Sequence, residues 1–309
     1  MGSYAGHALP GSIFIVIGLW WLFHVVLDYA AGFKEKRKNR MDDSDIVIGS
    51  WRRLPWKRFR SIPFEPGFKL LGCLAGIIAE VGTLRFQLVN AKDEFTRPNR
   101  FSHATMYAFF AFSGLVEIFN VYKVVKFSKE AEYTLLALAF AVEGTLFAFH
   151  LHGRDIFDVR IHTLLYIIIY LAALVVLLEA CLPRFRRELF VARTVLVLTQ
   201  GTWFWEIAYT KFGANKWFGN ATRDLTEKQL ASDTEVVTTA VMWHLFGWLS
   251  IVMFFCSIAN CLYKYDRLPQ CCFVNGDDGE SLGSLREDLF DENEQSRFDE
   301  EEILLTQDS

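Results

Sequence analysis

Long apolar stretches separated by polar segments run along most of this chain of 309 residues. About 20 apolar residues in a helix span the hydrocarbon core of a bilayer. Seven stretches approach or exceed that length, near residues 9–29, 68–90, 101–122, 133–151, 161–182, 191–210 and 238–262. The alternating pattern of a membrane β-barrel is missing, and helices satisfy their backbone hydrogen bonds within lipid. The pattern therefore predicts an all-α fold, a seven-helix transmembrane bundle.

Composition and charge agree with a membrane protein. Hydrophobic residues make up 52% of the chain, with 29 Phe and 9 Trp. The net charge of −4 hides a basic loop at residues 30–67, with ten Lys and Arg, and an acidic C-terminal tail. A basic loop beside a membrane helix is attracted to anionic lipid headgroups. We therefore expect the lipid bilayer, and no nucleic acid, as its partner.

Basic residues also predict the orientation, because cytoplasmic loops carry an excess of Lys and Arg. With the N-terminus outside, the cytoplasmic side receives ten, three and four basic residues from loops 30–67, 123–132 and 183–193. The outer side receives three, two and four from loops 91–100, 152–160 and 211–237. Asn220 begins a glycosylation sequon, Asn220-Ala221-Thr222, in one outer loop. The N-terminus is thus predicted to be lumenal or extracellular and the C-terminus cytoplasmic.

Residues 1–265 form one predicted membrane domain, and residues 266–309 a tail of different composition. Gly, Ser, Asp and Glu dominate the tail, which predicts a disordered acidic cytoplasmic segment. Leu304 and Leu305 follow three glutamates and resemble the acidic dileucine signal that clathrin adaptors bind. Such a signal would direct the protein to endosomes or lysosomes, and the predicted location is the endomembrane system (Golgi, endosomes or lysosomes) or the plasma membrane. Cys271 and Cys272 are candidate palmitoylation sites, although two unmodified thiols fit nearly as well.

Five apolar stretches each contain a lone glutamate: Glu80, Glu117, Glu143, Glu179 and Glu206. A carboxylate at the centre of a membrane helix costs roughly 2.5–3.5 kcal/mol on insertion scales. The side chains are therefore expected to face a shared polar interior. Glu80, Glu143 and Glu206 fall in the middle or outer half of the predicted topology. Glu117 and Glu179 fall in the cytoplasmic half, where packing or ion pairing is expected.

Histidines concentrate in the outer leaflet of this topology. Imidazole and carboxylate ligands suit Zn²⁺ and related metals, and five histidines are candidate metal ligands: His103, His150, His152, His162 and His244. His150 and His152 point apart on a regular helix, unless Gly153 ends the helix there. For each histidine alone, a helix cap or a hydrogen bond to a loop carbonyl fits better, so the prediction concerns a site built from several of them. Glu143 and Glu206 are candidate general bases.

The predicted membrane domain contains short motifs rich in Gly, His and Trp: Gly6-His7-Ala8-Leu9-Pro10-Gly11-Ser12, Gly18-Leu19-Trp20-Trp21, His103-Ala104-Thr105-Met106-Tyr107, Val142-Glu143-Gly144, His150-x-His152, Ile161-His162, Gln200-Gly201-Thr202-Trp203-Phe204 and Trp243-His244. Together they resemble the transmembrane protein 45 family over about residues 5–265. The resemblance implies a seven-pass endomembrane protein and no established activity. This chain departs from it in the acidic tail, in Glu206, where some relatives have Gln, and in Arg160, where a His is frequent. Neither position is then an obligatory metal ligand.

Three functions fit these residues. In a metal-dependent intramembrane hydrolase, a divalent ion such as Zn²⁺ would lower the pKa of its bound water toward ~7, and a lipid-like substrate would enter laterally. In a carrier for protons or metal ions, Glu117, Glu179 and His24 would extend the polar path inward. In a non-catalytic scaffold or trafficking protein, polar groups would stabilise the bundle and the tail would recruit adaptors. A b-type haem is the weakest option, since the inner leaflet offers only His24.

Overall fold

The described part of the chain is entirely helical apart from short connections. The computed structural model describes residues 4–38, 62–82, 98–151, 153–212 and 227–264, with side chains for 4–29, 62–82, 98–151, 153–212 and 234–262. All of these belong to one unit, residues 1–268, and none of residues 269–309 is described. The prediction of an all-α fold is confirmed for the described residues.

Seven α-helices follow one another in the described ranges. They are α1 (Tyr4–Lys38), α2 (Phe64–Ile77), α3 (Pro98–Val121), α4 (Lys129–Phe149), α5 (Ile156–Cys181), α6 (Arg186–Phe212) and α7 (Glu227–Lys264). A π-helical turn at Ile78–Gly82 continues α2, and a 3-10 turn at Pro183–Phe185 precedes α6. Each predicted apolar stretch thus corresponds to one helix, as far as the structure describes it.

Five of the described helices are long and apolar enough to cross a bilayer. The qualifying segments are Tyr4–Tyr29, Pro98–Val121, Lys129–Phe149, Ile156–Cys181 and Thr234–Leu262. Helix α6 does not qualify, and it carries Gln200 in its middle and Arg193 in its first third, both of which are fully buried. Polar groups inside the bundle therefore weaken the hydropathy signal of a helix that lies in the core.

Side-chain caps explain why α4 and α5 begin earlier than their apolar stretches. Ser128 accepts a hydrogen bond of 3.1 Å from the backbone N–H of Ala131 at the start of α4. Asp155 accepts one of 2.7 Å from the backbone N–H of Asp158 at the start of α5. Such caps satisfy the N–H groups that the first turn of a helix leaves without partners. Between α4 and α5, Gly153 adopts a φ of +73°, a left-handed conformation that glycine adopts without strain.

Helices α1 and α6 pack against each other through glycine. A Cβ atom added at Gly201 of α6 would lie 2.9 Å from the backbone nitrogen of Ile15 and 3.0 Å from the backbone oxygen of Gly11. Small residues allow membrane helices to approach this closely. Aromatic rings fill the adjoining core, where Phe14 of α1 stacks on Phe204 of α6 at 6.0 Å. Helix α6 is therefore tightly held by α1.

Charged side chains are also buried in the bundle, and they pair between helices. Arg193 of α6 and Glu179 of α5 lie 3.1 Å apart with no exposed side-chain surface. Lys69 of α2 and Glu117 of α3 lie 2.7 Å apart, and their side chains are buried. Removing one partner of such a pair leaves an uncompensated buried charge. The ion pairing expected for Glu179 is present, with Arg193 as its partner.

Replacing Gly201 by alanine is expected to destabilise the bundle by about 1–3 kcal/mol, the usual cost of overpacking. Gly247→Ala in α7 is the matched control, because nothing lies within 4 Å of the corresponding added atom. Alanine also favours a helix interior over glycine by about 1 kcal/mol, so this variant should be unchanged or stabilised. The unfolding midpoint temperature in detergent measures both effects. Equal midpoints for the two variants would contradict the close contact of α1 with α6.

Candidate functional site

Four histidines lie together at one end of the bundle. His7 is near the start of α1, His103 near the start of α3 and His162 near the start of α5, while His150 follows the last residue of α4. Ring contacts join them in two pairs, with centroids 6.2 Å apart for His103 and His150 and 5.5 Å apart for His7 and His162. We call this end of the bundle the histidine end.

A carboxylate orients the first pair. Nδ1 of His103 lies 3.1 Å from Oε1 of Glu80, in the π-helical turn after α2. Because an ionised carboxylate only accepts hydrogen bonds, Nδ1 carries a proton and donates it. In the neutral form of the ring, Nε2 then keeps its lone pair. This arrangement is typical of histidines that act as metal ligands or as general bases.

A small pocket opens beside this pair, between α3 and α4. Its lining consists of two imidazoles, one hydroxyl and three apolar side chains: Ser102, His103, Met106, Leu146, Phe147 and His150. Burial lowers the pKa of His150 from 6.5 to about 4, and the nearby Arg154, His103 and His162 lower it further. His150 is therefore uncharged at neutral pH and offers a second lone pair at the pocket.

The second pair is more deeply buried and carries its own carboxylate. Nδ1 of His162 lies 2.9 Å from both the backbone oxygen and Oδ1 of Asp158, one turn earlier in α5. In the neutral form of the ring, Nδ1 is thus the donor and Nε2 is an acceptor. That Nε2 lies 3.3 Å from Nε2 of His7, which donates in this arrangement. Each pair at the histidine end therefore has the order carboxylate, imidazole, imidazole.

Fixed positive charges neutralise the acids around the second pair. Asp158 Oδ2 lies 3.0 Å from Nη1 of Arg154 and 2.7 Å from Nζ of Lys211. Lys211 also lies 3.3 Å from Asp155. Nη1 of Arg154 is in addition 3.3 Å from Nε2 of His162. The charges of the two acids are thus balanced by two basic side chains, so no negative charge remains to balance a divalent metal ion here. The His103 pocket is the better candidate site for a metal ion.

The remaining candidate residues lie elsewhere in the described structure. Glu143 of α4 is fully buried and accepts a hydrogen bond of 2.9 Å from Nε2 of Gln200. Glu206 accepts a weak bond of 3.4 Å from Thr210 of its own helix. Nδ1 of His244 lies 3.0 Å from the hydroxyl of Thr202. Neither candidate general base lines the His103 pocket, and His244 is not in contact with the other histidines.

Several candidate residues fall outside the described residues: His152, Asn220, Cys271, Cys272, Leu304 and Leu305. The roles predicted for them stay predictions. Among the side chains that the structure does describe, no group of three or more His, Cys, Asp or Glu residues is placed to hold a metal ion. Four of the six described histidines form two pairs instead of one converging set.

The sequence patterns did not identify three residues that pair with buried polar side chains of other helices. His7 is absent from the predicted metal ligands, although its contact with His162 joins α1 to α5. Lys69 and Arg193 lie near the edges of apolar stretches, where a basic residue normally marks the membrane boundary. The useful signal would have been the isolated acids Glu117 and Glu179, each of which needs a buried cation.

Comparisons with known proteins extend over the helices just described. Residues 129–257, from the start of α4 into α7, match a family described as a family of unknown function (DUF716). Transmembrane epididymal protein 1 of Rattus norvegicus is 24% identical over 79% of this chain and 77% of its own length. Transmembrane epididymal protein 1A of Mus musculus is 24% identical over the same shares. Together with five apolar helices, these similarities indicate an integral membrane protein.

The low pKa of His150 predicts a loss of stability in acid. The unfolded chain takes up a proton near pH 6.5, whereas the folded chain does so only near 4. Stability that is present above pH 6.5 is therefore lost progressively as the pH falls toward 4. The variant His150→Gln, which cannot titrate, is expected to lose less. Unfolding midpoints between pH 7.5 and 4.5, measured with a chelator present, compare the two. Parallel curves would contradict the half-buried, neutral His150.

Proposed function

We propose that the chain is a seven-pass relative of the transmembrane protein 45 family within the DUF716 group, with its N-terminus outside and its C-terminus in the cytoplasm. The distribution of Lys and Arg among the loops supports this orientation. The seven helices in the described ranges support the number of passes, and the match over residues 129–257 supports the family. In this topology the histidine end faces the lumen or the outside, and Asn220 is available for glycosylation.

We further propose that the His103 pocket is a hydrolytic site for an amphiphilic ester or amide. The observation that carries this proposal is the contact of Glu80 with His103 beside a neutral His150. It supplies two unprotonated imidazole nitrogens in a pocket whose other walls include Met106 and Phe147. Apolar walls suit the acyl part of a lipid-like substrate, and the imidazoles suit a reacting water.

A divalent metal such as Zn²⁺ fits the ligand types of this pocket. Nε2 of His103 and a ring nitrogen of His150 would hold the ion, and Glu80 would orient His103 from behind, as carboxylates do for many zinc-bound histidines. A catalytic zinc site normally has three protein ligands, and His152 is the third that the sequence predicts. When bound, the metal would lower the pKa of a water molecule toward ~7.

Zinc binding tests this function without knowledge of the substrate. Purified protein is expected to retain about one Zn²⁺ per chain, the stoichiometry of a mononuclear site, and to unfold at a higher temperature with zinc than with a chelator. The double variant His103→Ala and His150→Ala should lose both properties. His244→Ala is the matched control and should keep them, because His244 contacts Thr202 outside the pocket. Wild-type protein without zinc, or a double variant with full zinc, would contradict the proposal.

A further inference from the structure

Glu143 is a buried acid that lies outside the proposed hydrolytic site. It lies in the middle of α4 and is fully buried. Its Oε1 accepts a hydrogen bond of 2.9 Å from Nε2 of Gln200, which is also fully buried in α6. Oε2 of Glu143 and Oε1 of Gln200 have no hydrogen-bond partner among the described residues. The single hydrogen bond between these two side chains thus leaves two buried oxygen acceptors without a donor.

Three other buried acids in the described part of the chain differ because each faces a cation. Glu117 has Lys69, Glu179 has Arg193, and Asp158 has Lys211. No described ion pair includes Glu143. The other titratable side chains that interact with it are Cys73 of α2 and Tyr107 of α3, and neither brings positive charge. An ionised Glu143 would be an isolated charge in a dry interior, which is far more costly than a neutral acid.

A proton on Oε2 of Glu143 would turn this oxygen into a hydrogen-bond donor. Oε1 of Gln200 would then have a donor to accept from. The neutral acid would donate O–H to Oε1 of Gln200 and accept N–H from Nε2 of the same amide. Both polar groups would then be satisfied by one cyclic pair of hydrogen bonds, as buried polar groups normally are. We propose that Glu143 is a proton-binding site at the centre of the bundle, completed by Gln200.

Aromatic side chains close this site on both sides. Phe147 lies one turn beyond Glu143, and Phe204 lies one turn beyond Gln200, in the direction of the histidine end. Their ring centroids are 5.5 Å apart, and Phe204 in turn contacts His7 at 6.5 Å. On the other side, Phe140 packs edge-on against Phe110 at 5.2 Å. Exchange of the proton therefore requires α4 and α6 to move apart, which couples proton binding to conformation.

Infrared spectroscopy of the purified protein in lipid nanodiscs tests this site. A protonated carboxylic acid gives a carbonyl stretch that is separate from the carboxylate bands and shifts in D₂O. The protein is expected to show such a band at neutral pH, and Glu143→Gln should remove it. Gln200→Leu should keep the band and move it to higher frequency, because the hydrogen bonds to the amide are lost. If Glu143→Gln does not fold, the frequency shift in Gln200→Leu still tests whether the band belongs to Glu143.

Two results would overturn the inference. The first is an acid band that is unchanged in both variants, which would assign the band to another residue. The second is loss of the wild-type band when Na⁺ is added at constant pH, which would make the pair of oxygens a cation site instead. Neither result concerns zinc, so failure here is distinguishable from failure of the proposed hydrolytic site.

Discussion

The ion pair of Glu179 and Arg193 is the interaction on which the packing of the bundle depends. Its members belong to α5 and α6 and lie 3.1 Å apart, fully buried. The guanidinium group also lies 4.4 Å from the ring centroid of Trp21 in α1 and 5.9 Å from that of Tyr133 in α4. One arginine of α6 therefore contacts side chains of three other helices. Because a bare charge in this environment is so costly, rotation or sliding of any of the four helices is opposed.

The same constraint divides the described bundle into layers with different chemistry. At the histidine end, carboxylates orient imidazoles, and the groups are partly accessible. In the middle, Glu143 and Gln200 form a neutral pair between layers of phenylalanine. Toward the other end, the buried acids Glu117 and Glu179 are paired with cations. Chemistry with water is therefore best suited to the histidine end, whereas the middle layer suits the binding of a single proton.

The hydropathy pattern was sufficient to predict the positions of the helices, for a physical reason. A helix in lipid must be apolar over most of its length, so apolar stretches stand out in the sequence one by one. The caps at Ser128 and Asp155 shifted helix starts by a few residues because their signal is local and polar. The left-handed turn at Gly153 was also accessible, since a glycine between two predicted helices permits it.

The partners of the polar residues were harder to predict, because hydropathy contains no information on helix rotation or neighbour order. Depth alone placed His103, His150 and His162 at one level, but it did not separate them into two pairs. It also grouped Glu143 with the histidines, whereas the rotation of α4 directs it to Gln200. Arg193 was counted as a cytoplasmic basic residue. Its burial follows from the contact of α6 with α1, which no single stretch of sequence reveals.

A double-mutant cycle on Glu179 and Arg193 tests the central claim that paired polar groups hold the bundle together. Each single variant, Glu179→Leu or Arg193→Leu, leaves one buried charge and should lower the free energy of unfolding by about 3–5 kcal/mol. The double variant should lose clearly less free energy of unfolding than the two single variants lose together, because neither charge remains. Measured losses that simply add would contradict the account.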